Sequence, residues 1–408
     1  NGKADASVTG RFPRPPDRQC RALVDHPDAF GPPVEVSGFG DTETQIMSGL
    51  LGVFLSDPAK SLEWANVVGW GSGITVGSVA VSPVAHVEAV ELERQVIVGA
   101  RWFLRYNHDA EHHKKVHLIE GDGRTYLAAS PRRYDLIISE PSNPWITGAS
   151  NLFTVEYFRL VKRHLKKSGK FIQWLQIYEI SPRNVKVILA TLAEVFPHLH
   201  VFRPGFSPAD LLLVASRTRL SLRYDWFRQC LNRPSVRKEA ARIGVHKAED
   251  LLVRSVLDGR SLKDMVRKYP LNTDDNALVE FSAPKDLVNY ARYDPEKISA
   301  SLEEHSRPLS ALVQRGPSNL KSRLAWAWLQ SGRVDRALQE LKSAKHGKKN
   351  IQAVAHWLQK ARLERANLET LGNQTPVWST LLPLLERNPC IALTKVLKNK
   401  ALQEQPVL

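Results

Sequence analysis

The chain has 408 residues, of which 57 are Lys or Arg and 42 are Asp or Glu, giving a formal net charge of +15 at pH 7. At roughly 150 residues per domain, this length corresponds to two or three domains with a substantial core. The apolar fraction of 43% is typical of a globular protein and excludes a disordered or collagen-like chain. The basic balance raises the hypothesis of a nucleic-acid partner, which the motifs have to support.

Hydropathy and cysteine spacing indicate whether the chain crosses a membrane and in which redox compartment it occurs. The longest nearly uncharged apolar stretch, Ile46 to Leu55, is far shorter than the roughly 20 residues of a membrane span, so no transmembrane helix is expected. Cys20, Cys230 and Cys390 have neither disulfide-framework nor metal-site spacing, which favours a reducing compartment such as the cytoplasm. The chain begins Asn-Gly-Lys without a signal-peptide pattern, and we expect it to be part of a longer protein.

In chain order, an irregular lead-in over residues 1–60 is followed by short apolar runs that alternate with helical patterns. This alternation predicts βαβ units and a mostly parallel sheet, forming one α/β domain over residues 61–220. The runs that we predict as strands are 65–69, 86–92, 116–119, 134–139, 170–176, 200–202 and 210–215.

Helical patterns occupy the intervals between these strands. Leu92 to Tyr106 is one, and Leu152 to Leu165 is the clearest, with apolar residues at steps of three and four. We predict that the second helix ends at Lys167 to Gly169, with Gly169 in the left-handed conformation of a helix end.

Beyond residue 217 the strand signals fade. We predict a mainly helical tail over 221–300 and an α-helical region over 301–408. Small and large apolar residues from Leu324 to Ala344 fit one tetratricopeptide-type hairpin, although an ordinary helical hairpin explains them as well and no second copy is convincing.

The strongest local signal is the glycine-rich turn after the first predicted strand. Gly69, Gly71, Ser72 and Gly73 stand where the chain enters a helix. Glycines allow a tight turn and close approach to a ligand, and the helix N-terminus offers unpaired N–H groups. A glycine turn alone is weak evidence, since it is also found where no ligand binds.

Two acidic positions strengthen this signal. Glu91, at the end of the second predicted strand, could accept hydrogen bonds from both hydroxyls of a ribose. Asp122, followed by Gly123 after the third strand, could accept from an exocyclic amine such as that of adenine. Each feature alone could be an ordinary turn or a solvated carboxylate. Together, at successive strand ends, they favour a nucleoside site.

The order of these motifs, followed by YDLIISEPSNPW and LFTVEYFRLVKRHLKKSGK, resembles the spermidine synthase (polyamine aminopropyltransferase) family, and most of all the bacterial spermidine-synthase-like domains fused behind a membrane-spanning region. The resemblance covers residues 1 to about 216, and it implies that residues 1–60 are a remnant of the family's N-terminal β-hairpin domain with the segment that leads into the sheet. It implies a class I methyltransferase-like, seven-stranded sheet with helices on both faces. It also implies decarboxylated S-adenosylmethionine as co-substrate, with Glu91 on the ribose and Asp122 at the adenine. Attachment to the cytoplasmic face of a membrane, through a segment missing from this chain, is a further expectation.

The resemblance also identifies a candidate catalytic base. Transfer of an aminopropyl group requires a base to deprotonate the attacking ammonium, and Glu140 stands where family members place an Asp. Three further family carboxylates are replaced, one by Asn143, one by Ser72 and, on a looser alignment, one by Ile46. These changes remove negative charge where a polycation would bind.

The segment after Glu140 is predicted to shape the reaction site. Pro141 to Trp145 reads as a stiff loop whose Asn143 and Trp145 could cover the site and exclude water, or as a turn with Trp145 packed in the core. Gln173 and Tyr178, at and after the end of the fifth strand, could line the same crevice or simply pack.

Other signals are interpreted as structural. His108, His112, His113 and His117 lack partners for a metal site and are expected in a solvated loop. The basic run from Lys342 to Lys349 has no interleaved aromatic residues for stacking on bases. Asp274 and Asp275 could supply carboxylates to the crevice, but a helix cap is the commoner role.

The leading hypothesis is a spermidine-synthase-like transferase that binds decarboxylated S-adenosylmethionine, or S-adenosylmethionine itself, and acts on a small-molecule amine acceptor. One alternative is a methyltransferase on an unknown acceptor, suggested by the replaced carboxylates. Another is a nucleoside-binding or scaffolding domain that has lost turnover. Neither a metal nor a specific nucleic-acid partner is expected, and the sequence leaves homodimer formation open.

Overall fold

The structure is a computed structural model that describes residues 40–146, 148–205, 209–288, 293–331 and 333–341. Several features of the sequence lie outside the described residues: most of the lead-in, Cys20, Cys390, Ala344 and the basic run from Lys342 to Lys349. Within the described ranges, no helix combines the length and the apolar character needed to cross a bilayer.

The described residues form ten strands and fifteen α-helices. The strands are β1 (Trp64–Val68), β2 (His86–Glu91), β3 (Val116–Glu120), β4 (Tyr134–Ser139), β5 (Leu165–Gln176), β6 (His198–Phe202), β7 (Asp210–Ser216), β8 (Leu222–Arg223), β9 (Ser255–Asp258) and β10 (Val313–Gln314). The helices are α1 (Gly40–Phe54), α2 (Ile74–Val81), α3 (Arg94–Gly99), α4 (Leu104–Asn107), α5 (Gly123–Ala129), α6 (Val155–His164), α7 (Pro182–Val195), α8 (Tyr224–Leu231), α9 (Pro234–Ala241), α10 (Ala248–Leu252), α11 (Gly259–Val266), α12 (Leu278–Val288), α13 (Pro295–Glu304), α14 (Leu320–Gln330) and α15 (Val334–Leu341).

Eight of the strands form one mixed sheet in the order β3-β2-β1-β4-β5-β7-β6-β9. β1 to β5 are parallel, whereas β7 runs antiparallel to both β5 and β6, and β9 runs antiparallel to β6. The predicted α/β class is confirmed, and all seven predicted strands are present. The eighth, β9, falls in the 221–300 segment that was predicted to be mainly helical, because its four residues are too few to show a period.

The sheet is covered by helices on both faces. Successive strand residues point to opposite faces, so in β4 Leu136 and Ile138 join one hydrophobic cluster while Ile137 joins the other. The first cluster includes α1, α2, α8, α9, α10, α14 and α15, and the second includes α5, α6, α7, α11, α12 and α13. Most of the apolar stretch Ile46 to Leu55 thus lies in the core helix α1, so the prediction of an irregular lead-in was wrong for Gly40–Phe54. The hairpin of α14 and α15 packs into the same cluster.

The predicted end of the clearest helix was wrong. α6 ends at His164, because Leu165 adopts an extended conformation and already pairs with Tyr134 as the first residue of β5. Gly169 lies inside β5, beside a register shift between Tyr134 and Leu136, and a Cβ there would come 2.9 Å from the carbonyl oxygen of Tyr134. Gly169 is therefore required for close approach of two strands and not for a helix end.

The strand order creates a crevice at one edge of the sheet. The chain moves outward from β1 through β2 to β3 and then returns to place β4 on the other side of β1. The carboxyl ends of β1, β2, β3 and β4 meet at this switch point, where open α/β sheets bind ligands. Because β7 is antiparallel to β5, its first residue reaches the same edge.

Candidate active site

The glycine turn after β1 has the backbone geometry that only glycine adopts easily. Gly69, Gly71 and Gly73 have φ angles of 99°, 52° and 78°, in the left-handed region. A Cβ on Gly69 would lie 2.6 Å from the carbonyl oxygen of Glu140. Gly73 is the N-cap of α2. The turn therefore lies against the end of β4 and directs the helix N-terminus into the crevice.

Glu91 is held at the end of β2 beside this turn. One of its carboxylate oxygens, Oε2, accepts a hydrogen bond from the backbone N–H of Trp70 at 2.8 Å. The other, Oε1, accepts from the N–H of Glu93 at 3.0 Å. Each carboxylate oxygen has a second lone pair, and the residue is half-buried, so the oriented carboxylate can still accept from a diol.

Asp122 caps a helix as well as facing the crevice edge. Its Oδ1 accepts from the N–H of Thr125 at 2.6 Å at the start of α5, and the residue is exposed. Gly123 follows because the loop packs closely on β1, where a Cβ would come 2.5 Å from Cγ1 of Val68. The capping oxygen fixes the side chain, and its remaining acceptor capacity faces solvent.

Glu140 follows β4, and its backbone N–H donates to the carbonyl of Val68 at 2.9 Å. Its Oε2 lies 2.7 Å from the hydroxyl oxygen of Thr75, on α2. Its Oε1 is buried without a hydrogen-bond partner among the described residues. Burial raises the pKa of Glu140 to about 7 against the opposing hydrogen bonds with Ser48 and Thr75, and the charge of Asp210 acts in the same direction as burial. A carboxyl group with this pKa can both accept and release a proton near neutral pH.

Asp210 is a second buried carboxylate that sequence reasoning missed. It is the first residue of β7 and is only 6% exposed. Its Oδ2 accepts from the hydroxyl of Thr44 at 2.8 Å and its Oδ1 from the indole N–H of Trp174 at 2.9 Å. Burial raises its pKa. The available signal was an acid directly before an apolar run, which could be placed at this edge only once β7 was known to be antiparallel.

Ile46, the residue that a looser alignment gave as the replacement of a family carboxylate, does not reach the crevice. Ile46 is fully buried in the hydrophobic core, so its side chain does not face the crevice. The neighbouring Gln45 does, since its Oε1 accepts a hydrogen bond from the Ser72 hydroxyl at 2.5 Å. The helical period of α1 determines which of these two consecutive side chains points out of the core. A loose alignment cannot decide this. An uncharged pair therefore stands between α1 and the glycine turn.

The loop after β4 brings two predicted residues together. The rings of Trp145 and Tyr178 meet edge to face with centroids 6.2 Å apart. The pKa of Tyr178 is raised by burial and by the charges of Asp210, Asp41 and Glu179, while a hydrogen bond with Asn143 acts in the opposite direction. Trp145 is half-buried and also contacts the hydrophobic core. Trp145 thus packs against Tyr178 and the core, and its role in covering the site stays a prediction.

Gln173 lies fully buried in β5, opposite Ser139 in the neighbouring strand. Its amide nitrogen donates to the carbonyl of Trp174 at 3.1 Å, and its Oε1 is buried without a partner among the described residues. A buried amide oxygen of this kind is satisfied by a donor that enters the site.

The remaining signals resolve into ordinary contacts. His108 pairs with Glu239 at 2.7 Å and His112 with Asp109 at 2.8 Å. In the described part of the chain, no cluster of three or more His, Cys, Asp or Glu side chains could hold a metal ion. Asp274 forms an ion pair with Arg124 of α5, two residues after Asp122.

Residues 53–203 match the family described as spermine/spermidine synthase domain. Among curated proteins, Polyamine aminopropyltransferase 2 of Hyperthermus butylicus is 36% identical over 133 residues, covering 32% of this chain and 44% of that protein. Polyamine aminopropyltransferase of Bacillus cytotoxicus is 29% identical over 132 residues, covering 32% and 48%. The chain thus spans just under half the length of these two relatives.

Two solved structures show lower sequence identity. Spermidine synthase from Thermotoga maritima aligns with 54% of this chain and 75% of its own, at 18% identity and a TM-score of 0.41. Human Methyltransferase-like protein 13, solved with SAH, aligns with 59% of this chain and 99% of its own, at 19% identity and a TM-score of 0.35. The order and register of the strands in this chain, and not these two alignments, establish its fold.

Proposed function

We propose that this chain, which carries a spermine/spermidine synthase domain over residues 53–203, transfers an aminopropyl group from decarboxylated S-adenosylmethionine to an amine acceptor. The observation that carries the proposal is the position of Glu140. Its carboxyl group has one buried, unpartnered oxygen and lies at the switch point, directly beside the glycine turn.

The nucleoside would lie across the ends of β1, β2 and β3. Glu91, already oriented by the turn, would accept from the ribose hydroxyls, and Asp122 would accept from the adenine amine. The glycine turn lets the backbone approach the ligand without a Cβ in the way. This arrangement would direct the sulfonium of the co-substrate towards Glu140.

In the reaction, the acceptor nitrogen would attack the methylene next to the sulfonium. The new N–C bond forms as the C–S bond breaks, and its electron pair stays on sulfur, which becomes the neutral thioether of methylthioadenosine. The ammonium proton would pass to Glu140. A base whose pKa is about 7 is matched to this task near neutral pH.

The acceptor side would be formed by Asp210, Tyr178 and Trp145. Asp210 is the buried carboxylate that supports binding of a cationic amine, and the negative charges of Asp41 and Glu179 also act on Tyr178. Because Ser72, Gln45 and Asn143 add no negative charge, we favour a small acceptor with few positive charges over a long polyamine.

The same uncharged positions support a second candidate, an S-adenosylmethionine-dependent methyltransferase. S-adenosylmethionine carries an additional carboxylate, which Ser72 and Gln45 would tolerate better than an acidic residue would. The relative affinity of the chain for S-adenosylmethionine and for its decarboxylated form therefore distinguishes the two candidates.

Calorimetric titration of the full chain with methylthioadenosine, S-adenosylmethionine and its decarboxylated form tests both candidates. We expect tighter binding of the decarboxylated form and release of methylthioadenosine when putrescine or a shorter amine is added. In Glu140→Gln, nucleoside binding should persist and release should stop. Preference for S-adenosylmethionine would decide for a methyltransferase. The absence of binding to all three compounds would contradict both candidates, and leave a scaffolding role.

A further inference from the structure

A second cleft lies at the opposite edge of the sheet from the nucleoside crevice. It encloses about 160 Å³ between the loop after α1, the first residues of β4, the middle of β5 and the segment before α8. Its position is defined by Leu62, just before β1, by Asp135 at the start of β4 and by Lys170, which is paired with Leu136. None of these residues belongs to the site proposed above.

Lys170 is the unusual residue of this cleft. It is only 5% exposed, and its ammonium donates to the backbone carbonyl of Ser168. Among the described residues, no carboxylate lies within ion-pair distance of it. Burial, together with the positive charge of Lys60, lowers its pKa to about 8, although the charge of Asp135 acts in the opposite direction. A buried ammonium without an ion-pair partner is destabilising, so this side chain lowers the stability of the fold.

The acidic residues that line the cleft have other partners. Oδ2 of Asp135 accepts from the backbone N–H groups of Glu63 and Trp64 and from the ammonium of Lys166. Oδ1 of Asp57 accepts from the N–H of Ala59 at 3.0 Å. These donors partly neutralise the two carboxylates, and neither carboxylate forms an ion pair with Lys170.

The other polar groups of the cleft are donors. Lys60 and Arg219 are exposed at its rim, and hydroxyl groups are supplied by Ser61, Thr218 and Ser221. Cations combined with hydroxyl donors are the groups that bind phosphate oxygens. The volume leaves room for a small substituent beyond one phosphate group.

We infer that this cleft binds a phosphate-type oxyanion, either inorganic phosphate or a small phosphate monoester, with Lys170 as the buried counter-charge. The inference is independent of the proposed transferase activity, because it rests on different residues at the other edge of the sheet. The bound anion would supply an ion-pair partner for Lys170, and so would stabilise the fold around the start of β4 and β5.

The test is the melting temperature of the full chain at pH 7 in inorganic phosphate, in glycerol 3-phosphate and in chloride at matched ionic strength. We expect a saturable rise with phosphate or the monoester and none with chloride. The larger response identifies the source of the phosphate group. Lys170→Met should abolish the rise, whereas Lys238→Met, which removes an exposed lysine from α9, should keep it.

The stability of Lys170→Met and phosphate binding by Arg219→Gln test the same cleft. Lys170→Met should be at least as stable as the unmodified chain in chloride, since it removes a buried charge. Arg219→Gln, at the exposed rim, should weaken phosphate binding about tenfold in calorimetry without affecting folding. An equal response to phosphate in the chain and in Lys170→Met, or no saturable response in the chain, would overturn the inference.

Discussion

The hydroxyl oxygen of Thr75 lies 2.7 Å from Oε2 of Glu140 and 3.1 Å from the backbone carbonyl oxygen of Gln45. A hydroxyl has one proton, so it can donate to only one of these two acceptors. If Glu140 is protonated, its own proton is donated to Thr75, and Thr75 donates to Gln45. Thr75 can therefore partner Glu140 in either protonation state, and the hydrogen bond that it donates to the carboxylate acts to lower the pKa, against the burial that raises it.

This relationship predicts how Glu140 affects stability. The folded-state pKa is about 7, above the ordinary 4.5, so the folded protein holds a proton that the unfolded chain has lost. Stability from this group is therefore complete below about pH 4.5 and is lost as the pH rises towards 7. Glu140→Gln should become more stable than the unmodified chain by up to about 3 kcal/mol between these limits.

Denaturant unfolding at several pH values between 5 and 8 measures this difference. Glu93→Gln is the matched control, because Glu93 is exposed and should follow the unmodified chain at every pH. A stability difference for Glu140→Gln that did not change with pH would show that Glu140 titrates normally.

Asp210 should act on the same titration. Its negative charge raises the pKa of Glu140, so Asp210→Asn should lower that pKa. The pH window over which Glu140→Gln gains stability should then move to lower pH in an Asp210→Asn background. If turnover is observed, the acid limb of its pH profile should move in the same direction.

The comparison requires four proteins: the chain, each single variant and the double variant. An unchanged window in the Asp210→Asn background would mean that the two carboxyl groups do not interact. We also expect Asp210→Asn to raise the KM for the amine more than it changes the affinity for methylthioadenosine.

The glycine turn offers two positions with different steric demands. A Cβ at Gly69 would lie 2.6 Å from the Glu140 carbonyl oxygen, whereas nothing lies within 4 Å of a Cβ at Gly71. Both have positive φ, so each alanine substitution causes backbone strain of about 1 kcal/mol. Only Gly69→Ala has to displace β4 as well, and we expect it to lose about 2 to 4 kcal/mol in all.

Chemical unfolding and calorimetry with methylthioadenosine distinguish the two variants. Gly71→Ala should remain folded and bind, while Gly69→Ala should lose most of its affinity. Equal losses in both variants would contradict the close approach between the turn and β4.

Glu91 should bind the ribose through its hydroxyl groups. Glu91→Ala should reduce the affinity for adenosine about 10- to 100-fold, because hydrogen bonds to a charged acceptor contribute roughly 1.5–3 kcal/mol. The substitution also removes the hydrogen bond that the Trp70 N–H donates to Glu91. A loss of affinity caused by a changed turn therefore has to be distinguished from a lost contact with the ribose.

The 2′,3′-dideoxy analogue of adenosine provides this separation. If Glu91 binds the diol, the analogue should bind the chain and Glu91→Ala with similar affinity. Glu93→Ala should leave both affinities within twofold. A Glu91→Ala loss that was equally large for the analogue would assign Glu91 to the turn alone.

The sequence determined those features that depend on local pattern. Strands such as Tyr134–Ser139 have a continuous apolar centre, here Leu136 to Ile138, because buried parallel strands have apolar neighbours on both faces. Gly69 and Glu91 could be placed at strand ends because a glycine turn and an acid after such runs are themselves local signals. The end of α6 was misplaced because a glycine that permits close strand approach looks the same in sequence as one that ends a helix.

Only the tertiary structure decided what depends on contacts between distant segments. Asp210 reaches the reaction crevice because β7 is antiparallel, and Gln45, not Ile46, reaches it beside Ser72 because of the way α1 packs. Lys170 looks like one more basic residue among the 57, yet burial sets it apart from the solvated ones. The sequence pattern shows where polar and apolar residues alternate, whereas burial and charge pairing depend on which segments the fold brings together.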